Sequence, residues 1–220
     1  MSAAPAFQAF FACFQIAGLA LFLILTVSRT LHLKARLHIN PIVLSLHKRG
    51  LLGTMEAALF VGVNLWVVLV LLHVLPLPIQ RPEWLFGTTL IDSFLAKIVG
   101  VLLVLAAFLL RTLAMAALGD SWRLGLDEKV PGPLVTTGVY AVTRNPIYLF
   151  FNLWFIGTFL LNGTSVFLAL ALLAFANLHY QILQEEHFLA EVHGTKYERY
   201  CRRTPRYFAL RHAPRRRVVL

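Results

Sequence analysis

Cysteine and charge are both scarce in this chain, and each shortage excludes a class of protein. Two cysteines among 220 residues are too few for a disulfide framework, and they lie in the first apolar segment and in the basic tail, so we expect no bond between them. Only 14% of the residues are charged, 59% are hydrophobic and the mean hydropathy is +0.73. Soluble domains carry about a quarter of their residues as charges. The composition therefore indicates a membrane protein.

Two kinds of motif are also missing. No glycine-rich loop follows a strand-like segment, which excludes a soluble dinucleotide-binding fold of the Rossmann type. The histidines His32, His38, His47 and His73 have no carboxylate at the spacing of a metal site, so no metal is expected. The net charge of +10 comes without a soluble basic domain to carry it, so we expect no nucleic-acid partner.

Long apolar runs, by contrast, are abundant. Three of them cover 7–27, 53–75 and 94–118, and a broken pair covers 147–161 and 165–183. A helix needs about 20 such residues to cross the core of a bilayer, and continuous runs lack the alternation of a transmembrane barrel. We therefore predict an all-α polytopic membrane protein with about five transmembrane helices.

Basic residues are distributed unevenly between these spans. Of the 20, all except Arg81 and Lys97 follow the first span, lie in the last part of the third span or after it, or belong to the segment from Lys196 onward. Because short cytoplasmic loops collect Lys and Arg, we expect the amino terminus outside and the carboxyl terminus inside. The sequence predicts one integral-membrane domain with three parts: 1–117 holds the first three spans and an interfacial segment, 118–208 holds the chemistry, and 209–220 is a basic tail.

A helical hairpin is predicted over 146–183, with the letters "NGT" supplying a tight turn at Gly163. Its first arm would reach only about 22 Å at 1.5 Å per residue. The open end of the hairpin brings Glu185 and Glu186 to the loop that carries Arg144. The pattern leaves two interpretations open: the acidic pair is either a solvated helix start or a site that recognises an amine or a cation.

Two amphipathic stretches accompany the spans. Residues 28–50 mix basic and apolar side chains and are expected to lie in the headgroup plane, interrupted at Pro41. Residues 185–208 predict an amphipathic helix, a break at Gly194 and a second short helix. The basic side of the molecule is expected to contact the lipid bilayer and its anionic headgroups.

Two sequence blocks resemble a known family of membrane enzymes. "LVTTGVYAVTRNPIYL" begins at Leu134 and "EEHFLAEVHGTKYERYCRRTPRYF" begins at Glu185, on either side of the short hairpin. In this order they resemble the paired signature of the isoprenylcysteine carboxyl methyltransferase and phospholipid methyltransferase superfamily, which uses S-adenosylmethionine. The resemblance covers about 118–208, and the first two spans match in hydropathy only. It implies methyl transfer to a hydrophobic small-molecule or lipid-modified acceptor in a cytoplasmic site.

The resemblance also implies roles for individual residues. Glu185 would bind the ammonium of the cofactor with Glu186 beside it, and Arg144 is the candidate for its carboxylate. Glu186, Tyr148 and His187 are the candidates for proton handling, and the expected catalytic group is Glu186, Tyr148 and Arg144. The expected cofactor contacts are Leu134, Val135, Gly138, Tyr140, Asn145, Pro146, Tyr148, Glu185 and Glu186, and the expected acceptor contacts are Gln181 and Trp154.

Two positions depart from the family pattern. Asn145 stands where the family has histidine, and an amide can donate a hydrogen bond but cannot act as a base. Gln181 stands where the carboxyl-methylating members have arginine, one helical turn before the acidic pair. Glutamine cannot grip a carboxylate with two parallel hydrogen bonds. These departures favour a neutral, amine or lipid-like acceptor over a prenylcysteine carboxylate.

Three alternatives stay open at the level of sequence. A phospholipid N-methyltransferase of the same superfamily would differ in its acceptor, a membrane reductase would bind a nicotinamide cofactor, and a membrane scaffold would bind none. The two glutamates, together with the lack of an evident arginine cluster for a 2′-phosphate, favour the methyltransferase. The sequence carries no indication of oligomeric state.

Overall fold

The computed structural model describes residues 5–38, 51–78, 80, 82–122 and 132–208. Within these ranges the regular structure is helical, which confirms the predicted all-α class. The helices are α1 (Pro5–Leu37), α2 (Leu51–Val74), α3 (Glu83–Phe86), α4 (Phe94–Leu118), α5 (Pro146–Asn162), α6 (Ser165–His193) and α7 (Thr195–Arg203). Short 3-10 turns occupy Gly119–Ser121 and Gly138–Ala141. The predicted interruption at Pro41 and the predicted basic tail lie outside the described residues.

Four helical segments are long and apolar enough to cross a membrane, namely Ala6–Leu37, Gly53–Val74, Phe94–Ser121 and Ser165–His193. α5 is apolar but has 17 residues, about 25 Å at 1.5 Å each, which is less than a full bilayer core. Large apolar side chains lie on the outside of the bundle, with Leu95 71% and Leu173 68% exposed. Such a surface is stable in contact with lipid and not with water. The chain is therefore a multi-pass integral membrane protein.

α1 is longer than the sequence predicts. It passes the expected end of the first span at Val27 and continues to Leu37, so residues 28–37 extend the span instead of forming a separate interfacial segment. The reason is local: neither glycine nor proline occurs in this stretch, and its leucines, lysine, alanine and arginines are strong helix formers.

α6 is also longer than predicted. It passes the expected end of the last span at Leu183 and continues to His193. The acidic pair therefore lies inside one continuous helix and does not begin a new one. Gly194 then ends α6 with a φ of 51°, and α7 follows it, as predicted for this glycine.

A close contact between α4 and α5 fixes the orientation of α5. A Cβ atom added at Gly157 of α5 would lie 2.9 Å from the carbonyl oxygen of Gly100 of α4 and 2.7 Å from the Val104 side chain. One turn away, the rings of Phe108 and Trp154 meet edge to face with their centroids 5.2 Å apart. This face of α5 is therefore turned to α4.

The turn between α5 and α6 confirms the predicted hairpin. Gly163 has the left-handed backbone conformation, with φ 69°. Its carbonyl oxygen accepts hydrogen bonds from the backbone N–H groups of Leu90, at 2.7 Å, and Ile91, at 3.1 Å. Ser165 in turn donates its backbone N–H to Thr88 at 3.0 Å. The loop before α4 thus holds the closed end of the hairpin.

Candidate active site

The open end of the hairpin meets two other segments, which are far apart in the sequence. The loop before α5 lies against the segment 204–208 that follows α7. The Tyr200 hydroxyl donates a 2.7 Å hydrogen bond to the Tyr140 carbonyl oxygen, and the Arg144 backbone N–H donates to the Pro205 carbonyl oxygen at 3.0 Å. This loop, the middle of α6 and the chain after α7 therefore form one polar site at one end of the bundle.

Glu186 is the centre of this polar site. Its Oε1 accepts hydrogen bonds from Arg144 Nη2 at 2.9 Å, Arg144 Nε at 3.1 Å and Asn145 Nδ2 at 3.1 Å. Its Oε2 accepts from Arg206 Nη2 at 2.7 Å and Arg206 Nε at 3.0 Å. The Glu186 side chain is only 11% exposed. Two guanidinium groups and one amide therefore occupy both of its oxygens.

The Arg144 guanidinium also has partners other than Glu186. Its Nη1 donates to the backbone carbonyl oxygens of Cys201, at 3.2 Å, and Thr204, at 3.0 Å. All three guanidinium nitrogens are thus engaged within the protein. Arg206 is 36% exposed, and its hydrogen bonds to Glu186 raise its pKa, so it stays charged.

Glu185 has a different environment from its neighbour. The Tyr148 hydroxyl lies next to its carboxylate, and Tyr140 lies within electrostatic range of it. Among the described residues, no lysine or arginine forms an ion pair with Glu185. Burial, followed by the negative charge of Glu185, raises the pKa of Tyr140. The phenol of Tyr140 therefore stays neutral beside a carboxylate that lacks a counter-ion.

The remaining predicted cofactor contacts belong to the loop and to its junction with α5. Pro146 is the first residue of α5 and is buried, which suits its fixed backbone and missing N–H. Leu134 and Val135 are half-buried. Gly138 is exposed and has a φ of 63°, which glycine adopts at little cost.

The structure separates the two predicted acceptor contacts. Gln181 lies one turn before Glu185 on α6, but its Nε2 donates to Asn177 Oδ1 at 2.6 Å. Trp154 is 5% exposed and lies in the aromatic core, where its ring meets Trp66 of α2 at 4.8 Å. Its face of α5 is turned away from Glu185. Contact of either residue with an acceptor stays a prediction.

Two residues of interest were missed at the level of sequence. Arg206 has no predicted role beyond its positive charge, because nothing in the local sequence indicates that the chain folds back to Glu186 after α7. Asn152 was passed over inside the fourth apolar run, although an amide in the middle of a span is a signal in itself. It is 6% exposed, and its side-chain oxygen has no hydrogen-bond partner.

The fold and the site define a class of protein, a multi-pass helical membrane protein with a buried polar site at one end. A sequence model of the family described as phospholipid methyltransferase matches residues 95–196. Residues 95–196 of this chain are therefore similar to the phospholipid methyltransferase family. The resemblance carried by the two sequence blocks is confirmed.

Individual relatives are similar over the same part of the chain. Protein-S-isoprenylcysteine O-methyltransferase B of Arabidopsis thaliana is 31% identical over 48% of this chain and 55% of its own length. Protein-S-isoprenylcysteine O-methyltransferase of Schizosaccharomyces pombe is 33% identical over 44% of this chain and 42% of its own. Nickel-cobalt-cadmium resistance protein NccN of Alcaligenes xylosoxydans is 30% identical over 43% of this chain and 45% of its own length. The chain thus spans about half the length of these relatives, whose names describe different activities.

Proposed function

We propose that this protein is an integral-membrane methyltransferase that uses S-adenosylmethionine and methylates a hydrophobic or lipid-like acceptor. The observation that carries the proposal is the contrast between two adjacent glutamates. Glu186 is saturated by two arginines and an amide, whereas Glu185 lies beside a tyrosine hydroxyl and, within the described part of the chain, has no cation. A half-buried carboxylate without a counter-ion among the described residues is a strong electrostatic site for a cationic ligand.

The residues present fit this cofactor. The ammonium belongs on Glu185, with Tyr148 and Tyr140 beside it, and the loop residues Leu134 and Val135 are the apolar contacts. The carboxylate is more simply held by Arg206 than by Arg144. Arg144 has every guanidinium nitrogen engaged, while Arg206 is partly exposed and has N–H groups left over.

The chemistry expected of the protein is mainly positioning. The bound cofactor supplies a methyl group on a positively charged sulfur. Held by Glu185 and Arg206, the cofactor would give up this methyl group to a lone pair of the acceptor and would keep the electrons of the broken carbon–sulfur bond on sulfur. The protein holds the two partners in line in a site that excludes water. For an acceptor that loses a proton, Tyr148 can take it while it passes its own hydrogen to Glu185.

We also propose that the site faces the cytoplasm, where the cofactor is available. The exposed side of α7, next to the site, is basic, and its members are Lys196, Arg199, Arg202 and Arg203. Because basic residues concentrate on the cytoplasmic side of membrane proteins, this end of the bundle is assigned to the inside. The acceptor would arrive sideways from the bilayer.

The proposal is tested by titrating the purified protein with S-adenosylmethionine, its demethylated product and NADPH, for wild type and Glu185→Gln. Glutamine keeps the shape of the side chain and an acceptor for the Tyr148 hydroxyl, so the substitution removes only the charge. We expect Glu185→Gln to weaken cofactor binding about tenfold or more, since a charged hydrogen bond is lost. The matched control is Glu191→Gln, because Glu191 is 67% exposed on the same helix.

Two results would overturn parts of this proposal. Tight binding of NADPH with no response to the other two ligands would replace the methyltransferase with a nicotinamide-dependent reductase. Unchanged cofactor binding by Glu185→Gln would remove Glu185 from the site and leave the activity itself standing.

A further inference from the structure

A buried amide whose oxygen has no hydrogen-bond partner within the described part of the chain lies one helical turn deeper than the Tyr148–Glu185 pair. Asn152 follows Tyr148 by four residues on α5, which places it on the same face about 6 Å further into the membrane. Its residue exposure is 6%, and its Oδ1 accepts no hydrogen bond. Such an atom is costly, because transfer of an amide out of water without a new hydrogen bond costs free energy.

Other amides inside the bundle do have partners. Gln15 of α1 and Asn162 of α5 exchange hydrogen bonds in both directions, at 3.1 and 2.8 Å. Asn177 and Gln181 of α6 are bonded to each other at 2.6 Å. Packing between helices therefore accounts for these four side chains. It does not account for Asn152.

The surroundings of Asn152 change from polar to aromatic along α5. On the side of the membrane surface lie Tyr148 and Glu185. Three residues deeper on the same face lies Phe155, whose ring meets Trp66 of α2 with centroids 5.1 Å apart. An amphipathic acceptor whose tail reaches the aromatic core, below a cofactor bound at Glu185, has its reactive head group at the level of Asn152.

We propose that Asn152 Oδ1 binds the head group of the methyl acceptor, and that this head group carries a hydrogen on nitrogen, oxygen or sulfur. The inference rests on the proposed function and narrows its acceptor. An amide oxygen accepts hydrogen bonds, and an ionised carboxylate has none to donate. Amines, alcohols and thiols have a hydrogen to donate, and each also has the lone pair that methyl transfer requires. The side chains around Asn152 must part to admit the acceptor.

Three variants separate this role from a structural one. Asn152→Leu removes the amide, Asn152→Asp keeps an acceptor oxygen but loses the N–H donor, and Asn64→Leu is the matched control. Asn64 is an exposed amide in the membrane helix α2 that bonds only the Phe60 carbonyl oxygen of its own helix, at 2.7 Å. Transfer of labelled methyl is measured to dodecylamine, dodecanol, dodecanethiol and N-acetyl-S-farnesylcysteine, alongside cofactor affinity and thermal unfolding.

We expect transfer to at least one probe with a proton-bearing head group. Asn152→Leu should raise the KM of that probe about tenfold or more, whereas Asn152→Asp and Asn64→Leu should leave it close to wild type. Cofactor affinity should not change in any variant. The melting temperature of Asn152→Leu should stay or rise, because an unsatisfied buried polar atom has been removed.

The proposal is overturned if Asn152→Leu leaves every KM unchanged, or if the farnesylcysteine carboxylate is the only probe methylated. It is equally overturned if Asn152→Leu lowers cofactor affinity and melting temperature together, since that indicates a packing role. A wild-type protein that binds no S-adenosylmethionine refutes the proposed function instead, and this inference fails with it.

Discussion

Two neighbouring carboxylates in one helix perform different tasks because successive side chains of a helix point about 100° apart. Glu185 is directed toward α5, where Tyr148 meets it. Glu186 is directed toward the loop and the segment after α7, where it meets Arg144 and Arg206. An acidic pair in the sequence is thus one ligand-binding group and one group that joins three parts of the chain.

The two arginines on Glu186 should differ in their contribution to stability. Arg144 is 11% exposed and Arg206 is 36% exposed, and the more exposed charge is screened by water. We expect Arg144→Gln to lower the free energy of unfolding by about 3 kcal/mol, as for a broken buried pair, and Arg206→Gln by about 1 kcal/mol. The measurement is thermal unfolding in detergent, without cofactor.

Arg199→Gln is the control for these variants, because Arg199 is exposed and donates a hydrogen bond to the Thr195 carbonyl oxygen of its own helix. Its melting temperature should match wild type. Equal losses for Arg144→Gln and Arg206→Gln would contradict the difference drawn from their burial.

At the scale of single residues, the sequence predicts only those site residues that belong to local patterns. Arg144, Asn145 and the acidic pair lie in recognisable blocks, and their meeting was predicted from the hairpin. Arg206 could not be placed, because its contact with Glu186 requires the chain to reverse after α7 and return across the loop. Asn152 is a single polar residue in an apolar run, and whether its side-chain oxygen has a hydrogen-bond partner depends on three-dimensional packing.

At the scale of elements, the hairpin of α5 and α6 sets the depth of the site. α5 begins beside Glu186 and ends at Gly163, about 25 Å away at 1.5 Å per residue. Hydrogen bonds from Leu90 and Ile91 hold that far end. The position of the loop and the acidic pair therefore depends on a turn on the opposite side of the molecule.

Gly163→Ala should weaken the fold without touching the site. An added Cβ would lie 1.7 Å from the Ile91 carbonyl oxygen, in a backbone conformation with φ 69°. We expect a loss of about 2–4 kcal/mol, from the left-handed conformation and the forced backbone shift together. Cofactor affinity, measured well below the melting temperature, should stay close to wild type.

Gly62→Ala, also a glycine-to-alanine substitution, should raise the stability of the protein where Gly163→Ala lowers it. Gly62 lies inside α2, and a Cβ added there meets nothing within 4 Å. Alanine should therefore stabilise the helix by about 0.5–1 kcal/mol. A melting temperature that falls as far for Gly62→Ala as for Gly163→Ala would show that the Ile91 contact is not the cause.

Element boundaries were predicted where the sequence contains a strong signal and missed elsewhere. Gly163 and Gly194 end helices as expected, since both adopt a positive φ. The ends expected at Val27 and Leu183 rested on a fall in hydropathy, which ends a membrane span but does not break hydrogen bonds of a helix. α3 has four residues, too few for any periodicity to be seen.

At the scale of the whole molecule, the site is assembled from segments that are distant in sequence. The loop ending at Asn145, the middle of α6 and the segment after α7 contribute, and no two of them are adjacent along the chain. Asn145 illustrates the consequence: its Nδ2 donates both to Glu186 Oε1 at 3.1 Å and to the Arg206 carbonyl oxygen at 3.2 Å. The membrane spans alone therefore do not complete the site, which also needs the segment after α7.

The segment 204–208 should therefore be required for cofactor binding, while the residues beyond it should not. A chain that ends at Phe208 keeps Arg206 and the carbonyl oxygens that bind Arg144. A chain that ends at Arg203 loses the Arg206 pair to Glu186 and the Thr204 and Pro205 carbonyl oxygens that hold Arg144. Both truncations leave α1 to α7 intact, so both should insert into the membrane.

We expect the chain ending at Phe208 to bind S-adenosylmethionine like the full-length protein and the chain ending at Arg203 to lose binding by about tenfold or more, because Glu186 and Arg144 are left with fewer partners in a buried site. Isothermal titration on detergent-purified protein measures both affinities, and limited proteolysis of 132–145 reports whether the loop has come free. Retention of full affinity by the chain ending at Arg203, with a protected loop, would mean that the loop is held by α6 alone. Loss of affinity in both truncations would instead place an essential contact among residues 209–220.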